Sequence, residues 1–253
     1  MQDSSAAFVQ HSGLEHTGAQ HPAFQHQFDT MEQQRDASTL GMWLFLITEI
    51  LFFGGMFTVY LVYRSKYFGA FAAGSSSLDI TLGGINTAVL IGSSLTMALA
   101  VYGAQTGKRQ MLSGFLVLTI LLGCTFLGIK AVEYAHKFEE HHVPGPSFHF
   151  RTEGEQFGEQ HTGTVREIHG DDPSHVQLFF SLYFAMTGMH ALHMIIGVGL
   201  MSFLLWRAMQ GAYTPDYYTP VENAGLYWHF VDIVWIFLFP LLYLISRHVE
   251  GGP

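Results

Sequence analysis

Five long stretches of this sequence contain almost no charged residues. A helix needs about 20 consecutive apolar residues to cross the hydrocarbon core of a bilayer, and each stretch is long enough to do so. Basic residues close the stretches, as Arg64 and Lys66 do after the first and Arg207 does after the fourth. The sequence therefore predicts an all-α integral membrane bundle of five transmembrane helices, with spans at about 41–63, 85–106, 111–134, 177–206 and 226–246.

The composition supports this prediction. Hydrophobic residues make up 49% of the 253 residues and charged residues only 12%, which is about half the charged share of an ordinary soluble domain. The net charge of −9 lies mostly in two polar segments and argues against nucleic acid as a partner. The single cysteine, Cys124, lies inside an apolar stretch, where we expect it to serve as inert packing.

Two polar segments flank or interrupt the apolar stretches. Residues 1–40 lack any sustained periodicity and predict a mobile N-terminal tail, which leaves 41–253 as the transmembrane domain. Residues 137–176 predict a histidine-bearing loop with eight acidic residues against three basic ones. Its negative field would attract a basic electron-donor domain or an additional subunit. A solvated, disordered loop is the alternative interpretation.

The number of crossings determines the topology. Five crossings place the two termini on opposite sides of the membrane, with the 137–176 loop on the side away from the N-terminus. Basic residues near the ends of the spans are slightly more frequent on the N-terminal side, among them Arg35, Lys108 and Arg109. Because basic residues prefer the cytoplasmic side, we expect the N-terminus to be cytoplasmic.

Polar groups are costly within a membrane, so each one inside a predicted span requires an explanation. Lys130 and Glu133 are charges in the last turns of the third span. The candidate site residues are Glu49, Glu133, His190, His193, His229 and Asp232. His190 and His193 are three residues apart and so share one face of the fourth helix. An ionised carboxylate alone at the depth of Glu49 would cost several kcal/mol. We therefore predict that Glu49 hydrogen-bonds to one of these two histidines, either as a neutral structural acid or in a proton-linked role.

The other histidines leave alternatives open. His190, His193 and His229 are candidate haem ligands, and haem ligation would make the chain an electron carrier. A dihaem core needs two pairs of histidines that face each other across the bundle, and these pairs are absent from the sequence. Structural hydrogen bonding is therefore the favoured interpretation of the three histidines. A proton-coupled transporter built on Glu49 and Asp232 is another class, although the paired repeats of transporters are not visible. Asp232 lies one turn after His229 and indicates either an ion pair or a contact to another subunit.

Particular strings carry a resemblance to a known family. The string YWHFVDIVWIFLFPLLYL (Tyr227–Leu244) resembles the closing signature of the cytochrome c oxidase subunit III family. The strings MTGMHALHMIIG (Met186–Gly197) and GMWLFLITEILFFGGMF (Gly41–Phe57) resemble its penultimate helix and its glutamate-bearing helix. GINTAVLIGSS and FLGIKAVEY fill the two helices between, in the same order. The acidic 137–176 segment and the histidine-rich tail depart from the family pattern.

The resemblance implies the last five helices of a seven-helix family, as in short bacterial members, within the bacterial cytoplasmic (inner) membrane and with a periplasmic C-terminus. It implies a subunit without haem or copper that packs against oxidase subunit I, which holds both, and that assembles with subunit II and other subunits. Such a subunit binds phospholipid and supports oxygen reduction to water, proton uptake and proton pumping.

The resemblance also assigns residues and related functions. Glu49 matches the family's membrane-embedded glutamate and Glu133 its helix-end glutamate, while His190, His193, His229 and Asp232 belong to the signatures. These residues would be buried polar, proton-linked or lipid-associated groups, and none would be catalytic. Accessory subunits of quinol oxidases and nitric oxide reductases share the fold and are alternative functions.

Overall fold

The computed structural model describes residues 24–139, 143–145 and 173–245. α-Helices account for most of these residues, and no strand occurs among them. The helices are α1 (Met31–Lys66), α2 (Phe68–Ser76), α3 (Ile80–Gln105), α4 (Arg109–Glu139), α5 (Pro173–Met209) and α6 (Thr219–Tyr243). All except α2 are long and apolar enough to cross a membrane. The prediction of an all-α bundle with five transmembrane helices is confirmed.

The first helix begins earlier than predicted. Its first residue is Met31, ten residues before the expected start of the span. The Thr30 hydroxyl accepts a hydrogen bond from the Gln33 backbone N–H at 3.1 Å, which is the usual role of an N-cap threonine. Residues 31–40, which were predicted to belong to a mobile tail, are therefore the first turns of α1. Residues 1–23 of that tail lie outside the described residues.

The acidic loop is shorter than predicted at both ends. α4 continues to Glu139, and α5 begins with Pro173, a residue favoured in the first helical turn because it has no N–H to leave unpaired. Lys137 is consequently helical, and its ammonium donates to the carbonyl of Ser77 at 2.9 Å. Most of the loop's acidic residues lie outside the described residues, so its predicted partner is untested.

The short helix α2 was not predicted. It has nine residues, too few to cross a bilayer, and it lies buried between the end of α1 and the start of α3. Small side chains allow this burial: a side chain at Gly74 would overlap the ring of Phe179 on α5. Small residues have no hydrophobic periodicity, so the sequence pattern did not reveal the helix.

The bundle is a closed ring of four helices with α1 outside it. α3 packs against α4, α4 against α5, α5 against α6, and α6 back against α3, while α1 packs mainly on α6. The turn between α3 and α4 contains Gly107 at a φ of 70°, and the Lys108 N–H bonds to the Gly103 carbonyl at 2.9 Å. This αL glycine ends α3 sharply and makes the predicted antiparallel hairpin.

The centre of the ring is packed around Trp228 of α6. Gly123 on α4 and Gly197 on α5 both face its indole, so closely that a Cβ on either would lie 2.8 Å from a ring carbon. The indole N–H donates to the Ser93 hydroxyl of α3 at 2.9 Å. Glycines thus let the backbones approach a large side chain, as is typical of helix packing in membranes.

Candidate functional site

Glu49 and His193 form a pair between α1 and α5. The Glu49 Oε2 atom lies 3.2 Å from His193 Nε2, so the predicted hydrogen bond to a histidine of the fourth span is confirmed. The two side chains are 19% and 12% exposed, respectively. The ring of Phe53 meets His193 edge-on at 5.1 Å, and the Tyr227 hydroxyl donates to the His193 carbonyl at 2.9 Å. The pair therefore sits in a mostly apolar setting, with a small part reaching the surface.

The second nitrogen of His193 determines how many protons the pair holds. Nδ1 lies 2.8 Å from the carbonyl oxygen of Met189, which can only accept, so Nδ1 carries a hydrogen. Nε2 then either accepts a proton from a neutral Glu49 or donates its own to an ionised Glu49. In both cases one proton lies between the two residues. Removing this proton would place the Glu49 carboxylate against the lone pair of His193 Nε2. The arrangement of the two residues therefore favours holding a proton.

A cavity of about 480 Å³ lies near this pair, between α1, α5 and α6. Its walls are mostly apolar, and Arg207 and Asn223 are polar groups near its end. The lining residues are Met42, Phe45, Ile196, Leu200, Phe203, Leu204, Arg207, Tyr213, Tyr217, Pro220, Asn223, Ala224 and Tyr227. Burial raises the pKa of the Tyr213 phenol to about 12, and the positive charge of Arg207 beside it opposes this shift. The cavity thus has the form of an apolar groove ending at a cation.

A second polar cluster lies where α4, α5 and α6 meet. Lys130 Nζ lies 3.0 Å from Glu133 Oε2, 2.9 Å from the Tyr243 hydroxyl and 3.3 Å from the Tyr183 hydroxyl. Both hydroxyls donate to Glu133 Oε1, that of Tyr183 at 2.6 Å. Lys130 and Glu133 are almost fully buried. The network is closed, because the three ammonium hydrogens and both carboxylate oxygens have partners.

Aromatic rings complete the surroundings of Lys130. Its ammonium lies 5.0–5.6 Å from the ring centroids of Tyr134, Tyr183, Trp235 and Tyr243. A cation over aromatic faces gains attraction that offsets part of the loss of hydration. Sequence reasoning included Glu133 but missed Lys130, which it treated as a charge in the last turns of the third span. The spacing of three residues, which places both on one helix face, was the available signal.

The remaining predicted residues lie apart from these clusters. His190 is fully buried, and its Nε2 lies 3.1 Å from the Val231 carbonyl of α6. His229 Nδ1 bonds to the Ser94 hydroxyl of α3 at 2.7 Å. Asp232 is buried beside it, yet its carboxyl has no hydrogen-bond partner among the described residues. The ion pair between His229 and Asp232 is thus not formed among the described residues, and His229 Nδ1 bonds to Ser94 instead.

The six predicted residues therefore do not converge on one centre. His193 and Glu49 meet at the α1–α5 boundary, Glu133 belongs to the α4–α6 cluster, and His229 faces α3. Within the ranges that the structure describes, no group of three or more histidine, cysteine or acidic side chains is placed to hold a metal ion. The arrangement is one of separate pairs that join neighbouring helices.

These features define a class: a multi-pass helical membrane protein whose buried ionisable groups are mostly paired across helices. The family model for cytochrome c oxidase subunit III matches residues 24–153 and 175–247. The chain belongs to this family, as its signature strings indicated.

Relatives in two kinds of oxidase resemble the chain. Cytochrome c oxidase subunit 3 of Synechocystis sp. is 33% identical over 211 residues, covering 83% of this chain and 76% of the relative. Cytochrome c oxidase subunit 3 of Thermostichus vulcanus is 30% identical, covering 87% and 92% of the two chains. Cytochrome bo(3) ubiquinol oxidase subunit 3 of Pseudomonas putida is 29% identical, covering 83% and 86%.

The closed network predicts how stability responds to substitution. Lys130→Met leaves the Glu133 carboxylate buried without its cation, and we expect it to lower the free energy of unfolding by about 3–5 kcal/mol. The double variant Lys130→Met/Glu133→Gln carries no unpaired charge and should recover most of that loss. Denaturant titration in detergent micelles measures both, with Lys66→Met at the exposed end of α1 as the control. A double variant no more stable than Lys130→Met would contradict the ion-pair assignment.

Proposed function

We propose that this chain is the non-redox subunit III of a haem–copper terminal oxidase in a bacterial cytoplasmic membrane. It supports the reduction of oxygen to water and the coupled pumping of protons by stabilising subunit I, binding lipid and aiding proton uptake. The haem and copper belong to partner subunits. The observation that carries the proposal is the Glu49–His193 pair in a chain of this family, since it provides a proton-holding group that is not part of a redox centre.

The electron donor in this proposal is cytochrome c. The relatives from Synechocystis sp. and Thermostichus vulcanus carry that name and have the higher identities of the three described above. A quinol oxidase is the second candidate, favoured by the relative from Pseudomonas putida, whose name specifies ubiquinol.

The distribution of basic residues supports a cytoplasmic N-terminus. Arg35, Lys108, Arg109 and Arg207 lie at the end of the bundle where α1 begins, near the α3–α4 turn and the end of α5. Because cytoplasmic loops carry an excess of lysine and arginine, this end faces the cytoplasm in our proposal. The C-terminus is then periplasmic.

Purification through an affinity tag on this chain tests the assembly. In mild detergent we expect a haem-bearing, many-helix subunit I and a subunit II to co-purify, with haem and copper staying with those subunits after separation. The measurements are peptide mass spectrometry and a reduced-minus-oxidised spectrum of each fraction. Haem retained in proportion to this polypeptide alone would contradict the proposal and favour the electron-carrier alternative.

The groove between α1, α5 and α6 is the proposed phospholipid site. Its apolar walls suit an acyl chain, and Arg207 supplies a cation for a phosphate. A more polar cavity of about 250 Å³ adjoins it, sharing Tyr217, Pro220 and Asn223, and is also lined by Arg35 and Asp216. An apolar groove that opens into a charged cavity matches the two parts of a phospholipid.

Substitution of Arg207 tests the lipid site. Arg207→Gln keeps hydrogen-bonding capacity but removes the charge, and we expect it to reduce the phospholipid retained per chain by about tenfold, the effect of losing one charge-assisted hydrogen bond of roughly 1.5 kcal/mol. Lipid extraction and mass spectrometry of the purified complex give the ratio. Arg64→Gln is the matched control, because Arg64 lies in the last turn of α1, whereas Met42 and Phe45 nearer its start line the groove. Equal lipid content in both variants would place the lipid elsewhere.

Glu49 is the proposed proton-linked residue. The pair with His193 shares one proton, and neither side chain is fully buried within the chain. We infer that it supports proton delivery or lipid-anchored stability of subunit I without taking part in the chemistry of oxygen.

The variant Glu49→Gln tests this role because glutamine keeps a hydrogen bond to His193 but cannot release a proton. We expect normal assembly and most of the initial oxygen consumption, followed by faster inactivation during turnover. Oxygen-electrode traces of the whole oxidase measure both phases, with Glu222→Gln at the start of α6 as the control. Complete loss of initial activity in a fully assembled variant would show that Glu49 is catalytic.

A further inference from the structure

Asp232 is buried with neither of its carboxyl oxygens hydrogen-bonded to another described residue. It lies near the middle of α6 and is only 3% exposed. This burial is almost complete within the chain itself, so it does not depend on which face of the bundle meets lipid or another subunit. Glu133, the other buried acid among the described residues, differs because both of its oxygens have donors.

No cation lies beside Asp232 to balance a negative charge. The helix that it faces, α3, has no acidic, basic or histidine residue along its whole length. On α6 itself, Glu222 is ten residues away, which is about 15 Å along a helix. Lys130 of α4 is committed to Glu133 and to two tyrosine hydroxyls. Because an ionised carboxylate is strongly disfavoured at such a position, Asp232 is expected to keep its proton.

The Ser94 hydroxyl of α3 lies beside both Asp232 and His229. It bonds to His229 Nδ1 at 2.7 Å, whereas the carboxyl oxygens of Asp232 are near it but not in position for a hydrogen bond. The terminal torsion of an aspartate is soft, so a rotation of the carboxyl can bring its O–H to Ser94. A hydroxyl both donates and accepts. Ser94 can therefore accept from Asp232 while it donates to His229 Nδ1.

This chain of three groups defines a route for the Asp232 proton. Transfer breaks the O–H bond of Asp232 and forms a new O–H bond at Ser94, while the original hydrogen of Ser94 passes to His229 Nδ1. Ser94 ends as a neutral hydroxyl, Asp232 as a carboxylate and His229 as an imidazolium, which can release the hydrogen on Nε2. The reverse sequence returns a proton to Asp232, and no electron is gained or lost.

His229 is the member of this chain of groups that reaches the outside of the bundle. Its ring is partly exposed, and Nε2 has no hydrogen-bond partner among the described residues, whereas Asp232 is enclosed. The Glu49–His193 pair lies on another side of α6, where the Tyr227 hydroxyl contacts the His193 backbone. The two groups of residues are therefore separate.

We propose that Asp232 is a neutral acid and a second proton-holding site of this protein, which exchanges its proton through Ser94 and His229. All three residues belong to this chain, so the site goes beyond the proposed function and does not depend on the electron donor or on the other subunits.

Infrared spectroscopy of the purified protein, with aspartate isotope-labelled in the side-chain carboxyl, tests the neutral state. A protonated carboxyl has a C=O stretching band that a carboxylate lacks, and the label assigns this band to aspartate. At neutral pH we expect the band in the unsubstituted chain and its loss in Asp232→Asn. Asp79→Asn is the matched control, because Asp79 is an exposed carboxyl that caps α3, and this variant should keep the band.

Exchange of the acid hydrogen for deuterium tests the route. In heavy water the band shifts as Asp232 takes up deuterium. Ser94→Ala removes the intermediate hydroxyl, and we expect exchange about tenfold slower, the effect of losing one hydrogen bond at the upper end of its usual strength. Ser94→Thr keeps a hydroxyl and should exchange at nearly the original rate. Ser202→Ala is the control, because the Ser202 hydroxyl bonds to the Val198 carbonyl of its own helix.

The outcomes decide each part of the proposal. A protonated-aspartate band that Asp232→Asn leaves unchanged would overturn the neutral acid. Equal exchange in Ser94→Ala and Ser202→Ala would overturn the route and leave Asp232 a structural acid only. If Asp232→Asn does not assemble, the labelled band in the unsubstituted chain and its response to Ser94→Ala decide instead, and the absence of either overturns the proposal. Failure to purify with a haem-bearing oxidase would overturn the proposed function alone.

Discussion

Hydrocarbon offers no hydrogen bond to a polar group, and the structure depends on this constraint at every level. It requires the backbone to satisfy its own N–H and C=O groups, which is why the apolar stretches are helices throughout. It also requires side chains such as Lys130 and Glu49 to find partners on other helices. The bonds that satisfy these groups are the bonds that hold the helices in register, because each joins two elements distant in sequence.

The two main polar clusters meet this constraint in different ways. Lys130, Glu133, Tyr183 and Tyr243 form a closed set in which each donor has an acceptor and the charges cancel. The bonds of this set join α4, α5 and α6. The Glu49–His193 pair is open, because it shares one proton and reaches the surface.

The sequence was sufficient to predict those features of the fold that follow from the length of apolar stretches and from the free-energy cost of burying polar groups. Long apolar stretches determine the five membrane crossings. Burying an ionised carboxylate costs free energy, so Glu49 was expected to have a partner at the depth of His193. Helix ends were less predictable, since the α1 start depends on a local bond between Thr30 and Gln33. The short helix α2 carries no periodic signal at all.

Pairings between side chains on one face were harder to predict. His229 and Asp232 are one turn apart, yet a residue from another helix, Ser94, takes the imidazole nitrogen. Lys130 was missed because its partners come from three helices that meet only in the fold. Spacing along one helix identifies which side chains share a face, but the competing partner comes from a distant part of the chain.

The helix α6 explains why one string carries so much of the resemblance. Tyr227 donates to the His193 carbonyl on α5, Trp228 donates to Ser93 on α3, and Tyr243 contributes to the cluster with Lys130 on α4. The Leu241 carbonyl accepts from Tyr60 on α1. α6 therefore contacts every other transmembrane helix, and half of its most apolar window is buried. A helix with four neighbours has few positions that are free to vary. Its tyrosine, tryptophan and histidine side chains each make a different hydrogen bond to another helix, whereas the Asp232 carboxyl has no such partner among the described residues. Among the described residues, the strip of α6 that contains His229 and Ile233 is the part of this helix that is not covered by α1, α3 or α5.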